Sequence, residues 1–431
     1  MEENSRHCVK TSILYNLNMR SPRACAFILL ALLCPLRAAA QSALTFDEAS
    51  RLTLSANPQA VAAARALDAA ASRITVSKAG LFPQIAANAA YSRLGTEPLP
   101  YSNSYSYGLS ATQPLFSPAL PATVRSAKAS YHRTEADYDR IKSNLLFKLR
   151  TTFSDLWKAR ETIKLSEGTL KRRADNVEII RIKYEAGRES KAALLEIKAA
   201  YTTAKWQHEG YKKDLRLLER KFNRLTGRSP IEAAATDALP EPPPPPENLE
   251  AVNSALERHP SLRSARASLE TAQASVDRSV SGFLPDANAN GRYSWSGSHW
   301  PDKTKDWSAG VSLSLPIFAG GKHISELAAS RADRSGADAS LKNARDEVFL
   351  NAEDALRSWR QAWLYMDVAG SSLEAANARA WLLRKQYLAG QASYFEWRIV
   401  EDQFIGAENQ ILAAKRDLQA AHAAFINSIG E

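Results

Sequence analysis

The sequence predicts a mainly α-helical protein with a small β component, built from two copies of one structural plan. Three observations support this: a long internal repeat, heptad spacing of apolar residues, and short segments of alternating apolar and polar side chains. Motifs recur about 202 residues apart, so that Asn57–Pro58 answers His259–Pro260 and Tyr184–Gly187 answers Tyr387–Gly390. A period this long excludes a solenoid, whose repeats have about 20–50 residues.

Residues 1–40 carry the pattern of a secretory signal peptide. The basic stretch Met19–Arg23 precedes an apolar core, Ala24–Leu36, and three alanines then provide a cleavage site. The apolar core is shorter than a membrane-spanning helix requires. Translation starts either at Met1 or at Met19.

Composition excludes several classes of site. All three cysteines, Cys8, Cys25 and Cys34, precede the predicted cleavage site, so the mature chain has no disulfide and no thiolate metal site. The formal net charge is +10, but basic and acidic residues are interspersed along the helical segments. This dispersion favours solvated helix faces over nucleic-acid binding. Beyond the signal peptide no apolar run approaches about 18 residues, which excludes a transmembrane helix.

We predict a first structural repeat over residues 41–239, a Pro-rich linker over 240–247, and a second structural repeat over 248–431. Each repeat is predicted to contain a helix, two strands, a long helix, a turn and a shorter helix. Five consecutive prolines make the linker a stiff, extended spacer.

The first predicted helix runs from Leu44 to Lys78. Its start has the Thr-x-x-Glu pattern of a capping box at Thr45–Glu48, and Gly80 and Pro83 end it. The helix is Ala-rich and about 34 residues long, or ~50 Å.

Two strands in each repeat are predicted from alternating side chains over about ten residues. The apolar face includes Tyr105, Tyr107 and Leu109 in the first repeat, and Trp307, Val311 and Leu313 in the second. Partner strands are predicted at Ile85–Leu94 and Ala287–Ser296, with turns at Thr96–Asn103 and Ser298–Lys305. The pattern fits membrane strands with the apolar face toward lipid. It fits a soluble hairpin equally well.

The remaining segments have the heptad pattern of coiled coils. One seam contains Leu149, Leu156, Ile163, Leu170, Val177 and Tyr184, and its counterpart contains Trp359, Met366, Leu373, Ala380 and Tyr387. The long helix has about 65–70 residues, or ~100 Å, and the returning helix about 36, or ~55 Å. Two shorter helices placed end to end therefore match one long helix, as a cylinder of uniform height requires.

Four strands cannot close into a barrel. In lipid, an open sheet edge leaves N–H and C=O groups unpaired, at a cost of several kcal/mol each. Membrane strands of this chain would therefore require oligomerisation, with 8 strands in a dimer or 12 in a trimer. Because small barrels are filled by side chains, a pore favours three or more chains.

Several motifs resemble the TolC family of outer-membrane efflux proteins when taken in order and in duplicate. They are the Gly-Leu-Phe-Pro and Gly-Phe-Leu-Pro strand entries, the Gln-Pro-Leu-Phe and Leu-Pro-Ile-Phe exits, and the two Tyr-x-Ala-Gly turns. The resemblance covers about residues 43–430. It implies a TolC-like homotrimer with a 12-stranded outer-membrane β-barrel, four strands per protomer, continued by an α-helical barrel in the periplasm.

The resemblance also implies a function as an exit duct in efflux or type I secretion. Its partners would be a periplasmic membrane-fusion adaptor, an inner-membrane pump of the RND or ABC type, and outer-membrane lipid. The helix-hairpin tips would meet the adaptor, which assigns that contact to Tyr184, Gly187, Arg188, Tyr387 and Gly390.

The resemblance further implies gating residues near the tips. An acidic residue six positions after the tip glycine is common in the family; Glu396 occupies this place in the second repeat and Ala193 in the first. Glu196 is the substitute candidate, and Arg398 is a candidate for a closed-state lock. From the residues alone, Glu396 fits a solvated carboxylate equally well, and both tip glycines fit left-handed helix caps.

No catalytic motif, cofactor motif or chelating histidine pair is present in the sequence. We therefore predict no enzyme activity, no cofactor and no metal site. The rival class is a secreted, soluble coiled-coil scaffold or adhesin, which would share the heptads and the signal peptide.

Overall fold

The computed structural model describes residues 44–96, 99–229, 240–301 and 304–430. The predicted signal peptide and all three cysteines lie outside the described residues. Within the described ranges, no helix combines the length and apolarity needed to cross a bilayer.

The described residues of the first half form four helices and two strands. They are α1 (Phe46–Ala56), α2 (Pro58–Ala79), β1 (Gln84–Thr96), β2 (Leu99–Phe116), α3 (Ala119–Glu185) and α4 (Lys191–Thr226). The second half repeats this order after a 3-10 turn at Glu250–Val252. Its elements are α5 (Asn253–Glu257), α6 (Pro260–Ser281), β3 (Asp286–Gly297), β4 (Lys305–Ser314), α7 (Lys322–Leu388) and α8 (Tyr394–Ser428). The long helices α3 and α7 have 67 residues each, as their heptads predicted.

The prediction of one continuous helix from Leu44 to Lys78 was wrong. The helix breaks at Asn57, whose backbone is extended with ψ of 127°, because a residue before proline is disfavoured in the α conformation. Asn57 then caps α2 by accepting a hydrogen bond from the Gln59 N–H at 2.9 Å. The predicted capping box at Thr45 and Glu48 is present at the start of α1.

The four strands form one antiparallel sheet in the order β1, β2, β3, β4. The predicted turn at Thr96–Asn103 was too long, because β2 already begins at Leu99. Backbone pairing continues there, with Arg93 opposite Asn103, beyond the point where the side chains stop alternating in polarity. β1 and β4 are the two outer strands of the sheet.

The helices pack laterally in the order α4, α3, α8, α7 near the hairpin tips, and α2, α3, α6, α7 near the sheet. Apolar clusters fill the seams between them. One cluster contains Leu149, Phe153, Leu156 and Phe222, and another contains Leu356, Trp359 and Phe425. The heptad residues Leu149, Leu156 and Trp359 therefore lie in the core, as predicted.

Two glycines fix the shorter helices end to end. Gly227 (φ 70°) and Gly430 (φ 90°) adopt left-handed backbone conformations at the ends of α4 and α8. A Cβ on Gly227 would lie 2.6 Å from Ala56 Cβ, and one on Gly430 would lie 2.8 Å from Pro260 Cδ. Neither position accommodates a side chain, so each glycine permits one helix to abut the next.

We expect Gly227→Ala to lower the free energy of unfolding by about 2 kcal/mol, because it combines backbone strain with this clash. Gly210→Ala is the matched control, since open space surrounds Gly210 in the middle of α4. The control should stabilise the helix by up to ~1 kcal/mol. Thermal unfolding followed by circular dichroism compares them, and equal midpoints for the two variants would contradict the prediction.

Candidate functional site

The six predicted apolar strand residues share one face of the sheet. Tyr107 lies opposite Trp295 in β3, Leu109 opposite Tyr293, and Tyr293 in turn opposite Trp307 in β4. The same parity includes Tyr105, Val311 and Leu313. Trp307 is 77% exposed, and Val311 and Leu313 are each 70% exposed. This face is therefore apolar across all four strands and uncovered within one chain.

The opposite face of the sheet carries polar side chains that bond across the strands. Asn88 Nδ2 donates to Ser110 Oγ at 2.9 Å, and Asn290 Nδ2 donates to Ser312 Oγ at 3.0 Å. Thr112 Oγ1 donates to Asn290 Oδ1 at 3.3 Å. The sheet therefore has one face suited to a lipid surface and one suited to water.

Aromatic rings concentrate on the apolar face toward the end of the sheet farthest from the helices. Tyr107 stacks on Trp295 with ring centroids 5.4 Å apart, and Trp300 lies edge-on to Tyr107 at 4.7 Å. Tyr91 and Tyr105 are 4.9 Å apart. Tyrosine and tryptophan at one level of an apolar band are typical of a membrane–water interface.

The hairpin tips end in left-handed glycines, Gly187 (φ 68°) and Gly390 (φ 78°). The Arg188 N–H donates to the Lys183 carbonyl at 2.8 Å, and the Gln391 N–H donates to the Gln386 carbonyl at 2.8 Å. These bonds close both helices in the same way. Both glycines and Arg188 are exposed, so the turns present an open surface at this end of the chain.

The two tip tyrosines differ in environment although their motifs match. Tyr184 is 38% exposed, whereas Tyr387 is 1% exposed and stacks on Trp397 with ring centroids 4.6 Å apart. Tyr387 Oη donates to Glu189 Oε1 at 2.9 Å, and Lys183 Nζ donates to the Tyr387 carbonyl at 2.7 Å. Burial, together with the Glu189 carboxylate, raises the pKa of the Tyr387 hydroxyl. Tyr387 therefore joins the two hairpins of the chain.

Glu396 forms a capping box at the start of α8. The Ser393 N–H donates to Glu396 Oε2 at 2.9 Å, and the Glu396 N–H donates to Ser393 Oγ at 3.2 Å. The hydrogen bonds from Ser393 lower the pKa of the Glu396 carboxyl. Glu396 is also exposed, so its carboxylate has both a local role and access to solvent.

Glu196 and Arg398 lie together, on α4 and α8 of the same chain. Arg398 Nε is 3.1 Å from Glu196 Oε1, and Arg398 Nη1 is 3.6 Å from Asp402 Oδ2. Asp402 also pairs with the buried Arg173 of α3. Ion pairs therefore connect α3, α4 and α8 next to the tips.

Sequence reasoning missed Arg173 and Asp402, together with a second pairing beside them. Arg172 Nη2 of α3 lies 2.5 Å from Glu408 Oε2, and Arg172 Nε lies 3.7 Å from the buried Glu401 Oε1. A signal was available, because Arg173 interrupts the apolar seam between Leu170 and Val177 at a core spacing.

Known proteins are similar to this chain along most of its length. A family model described as "Outer membrane efflux protein" matches residues 49–228 and 251–431. The outer membrane efflux protein BepC of Brucella suis is 21% identical over 372 residues, covering 83% of this chain and 79% of the relative. The outer membrane protein TolC of Vibrio cholerae is 23% identical over 352 residues, covering 75% of this chain and 77% of the relative.

Among solved structures, the chain is similar to the Campylobacter jejuni CmeC outer membrane channel. The TM-score is 0.80 at 18% identity, and the match covers 89% of this chain and 85% of CmeC. The long helices and the small sheet are therefore a fold that the two proteins share.

We expect Tyr387→Phe to loosen the tips, because it keeps the ring stacked on Trp397 but removes the donor to Glu189. A hydrogen bond to a charged group contributes about 1.5–3 kcal/mol. Hydrogen exchange of the backbone amides of residues 185–193 should accelerate, as measured by mass spectrometry. Tyr184→Phe is the matched control, and equal exchange in the two variants would refute the tie between the hairpins.

Proposed function

This chain belongs to the outer membrane efflux protein family, and from that premise we propose that three copies form a passive exit duct for an inner-membrane pump. As a member of the family, the protein is an outer-membrane channel. The proposal adds its assembly, its lipid-facing surface, its tip contacts and the absence of catalysis. The observation that carries it is the pair of unpaired sheet edges, β1 and β4.

The open flanks of the helices coincide with the open edges of the sheet. On one side the outermost elements are β1, α2 and α4, while on the other side they are β4 and α7. On α7, Leu364 is 66% exposed, and on α4, Trp206 is 75% exposed. Exposed apolar residues continue along these helices: Leu350, Val368 and Leu382 on α7, and Leu217 on α4.

Pairing one copy's β4 and α7 with the next copy's β1, α2 and α4 covers both flanks at once. Such a contact joins different surfaces, and it closes into a ring when the rotation allows it. Three copies give 12 strands. Side chains fill the interior of a barrel of eight strands, whereas a barrel of 12 strands is wide enough to contain a channel. The apolar face of the sheet, with Trp307, Val311 and Leu313, then contacts lipid.

We assign the adaptor contact to the exposed turns around Gly187 and Gly390, with Tyr184 and Arg188. Their neighbours Leu195 (57% exposed) and Phe395 (59% exposed) add apolar surface beside the glycines. Tyr387 acts behind this surface, through its bond to Glu189. Gating is assigned to Glu396 as a ring of three carboxylates, and to the Glu196–Arg398 pair as the intrachain restraint.

Cysteine cross-linking tests the trimer. The three native cysteines precede the predicted cleavage site, so introduced cysteines would be the only ones in the mature chain. With Ala87→Cys in β1 and Val311→Cys in β4, a short bis-maleimide should yield dimers and trimers and no larger species. Within one sheet these strands are separated by β2 and β3, so a bond between them joins different copies.

The matched control is Leu109→Cys with Tyr293→Cys, which lie opposite each other within one chain. This pair should give cross-linked monomers only. A ladder that stops at dimers, or monomers alone from the β1 and β4 pair, would rule out closure by three copies.

Neighbouring residues of β4 test the lipid face. Val311→Arg should lower stability in the membrane by about 2–4 kcal/mol, because it places a cation toward hydrocarbon. Gly310→Arg points the same side chain to the polar face, where a Cβ has open space. The amount of folded protein in outer membranes measures both, and equal yields would argue against lipid on this face.

Glu396→Gln tests the charged ring, because glutamine also completes a capping box. The substitution should reduce block of the channel by divalent cations in planar bilayers while leaving the fold intact. Glu48→Gln is the control, since Glu48 closes the same kind of box on α1. Unchanged conductance and cation sensitivity for Glu396→Gln would remove Glu396 from the gate.

A further inference from the structure

A cavity of about 420 Å³ lies between the Pro-rich linker and helices α3, α7 and α8. It is separate from the sheet faces and from the hairpin tips. Its apolar lining includes Trp157 of α3, Trp363 and Met366 of α7, and Leu418 of α8. The volume falls within the range of about 300–1,000 Å³ that is usual for small-molecule sites, and such sites are mostly lined by aromatic and apolar groups.

The linker forms one wall of this cavity and is held at both ends. Gln419 Nε2 donates to the Pro240 carbonyl at 2.8 Å, and Arg360 Nη2 donates to the Pro246 carbonyl at 2.7 Å. Between these anchors a run of prolines has little conformational freedom to lose. The cavity is therefore already formed, with Pro242 and Glu241 fixed over it.

The polar lining is acidic on balance. Glu241 and Asp367 contribute two carboxylates, and Lys415 contributes one ammonium group. Among the residues that the structure describes, neither carboxylate forms an ion pair. This contrasts with the tips, where Glu196 and Asp402 are paired with arginines. Two carboxylates beside two indole rings are the groups that recognise an organic cation, through charge and through the ring faces.

We propose that this cavity binds an aromatic organic cation with a single positive charge. The proposal goes beyond the exit-duct function, because every lining residue belongs to one copy and none belongs to the gate or the lipid face. The assembly proposed above places the next copy against other residues of α7. Trp363 and Met366 pack toward the core beside Trp359, whereas Leu364 and Val368 are exposed on the flank assigned to the next copy.

Ethidium is a suitable probe, because it is a planar aromatic cation whose fluorescence rises when it leaves water. The nuclease-treated full chain in lipid nanodiscs is titrated with ethidium, and empty nanodiscs provide the blank. Phenanthridine, the uncharged ring system, is titrated in parallel by quenching of tryptophan fluorescence. We expect saturable ethidium binding of one molecule per chain, at least about tenfold tighter than phenanthridine.

The double substitution Glu241→Gln with Asp367→Asn removes the charge and keeps the shape. It should weaken ethidium about tenfold and leave phenanthridine unchanged. Trp363→Ala should weaken both probes. The matched control is Glu353→Gln with Glu374→Gln, two exposed carboxylates of α7 outside the cavity, and it should bind ethidium normally.

Three results would overturn the proposal. The first is ethidium binding that the Glu241 and Asp367 substitutions do not change. The second is signal no greater than that of empty nanodiscs. The third is ethidium that dissociates the assembly into single chains, which would mean that a second copy of the chain covers the cavity. The first two results are independent of whether the exit-duct function holds, and the third is separable from it because trimer formation without ethidium is scored by cross-linking.

Discussion

The architecture depends on one constraint, that backbone N–H and C=O groups cannot remain unpaired in hydrocarbon. The sheet that the described residues form has four strands and two open edges, β1 and β4, and one such sheet cannot meet this constraint alone. Each edge strand is connected directly to a helix: α2 precedes β1, and α7 follows β4. The outermost strands are therefore connected to the outermost helices. Closing the sheet between copies therefore also brings together the exposed apolar flanks of α7 and α4. One requirement of the bilayer thus organises the whole length of the protein.

The duplication explains how one chain provides both flanks. Each half contains a 67-residue helix, and beside it shorter helices that meet end to end at Gly227 or Gly430. The halves are similar in plan but not in detail at the tips. Tyr184 is exposed, while Tyr387 is buried against Trp397, because the hairpins pack on each other through α3 and α8. The chain therefore presents two different surfaces at its tips.

Features with a short period in the sequence were predictable, and features that depend on packing between distant segments were not. Alternation identified the shared face of Tyr107, Leu109 and Trp307, because strand parity is a local property. Heptads predicted the long helices for the same reason. The link between Arg173 and Asp402 depends on the register of α3 against α8, which no local pattern contains. The break at Asn57 was missed because alanines on both sides favour one continuous helix, although Pro58 was a sufficient signal.

The most direct test is electron microscopy of the intact protein, extracted in detergent from isolated outer membranes. Three copies closing their sheet edges should appear as a particle with threefold symmetry and a hollow shaft of ~100 Å, the length of a 67-residue helix. A single chain recovered in the water-soluble fraction, with no ring-shaped particles, would mean that the edges of the sheet do not require partners. The soluble coiled-coil scaffold would then be the better description.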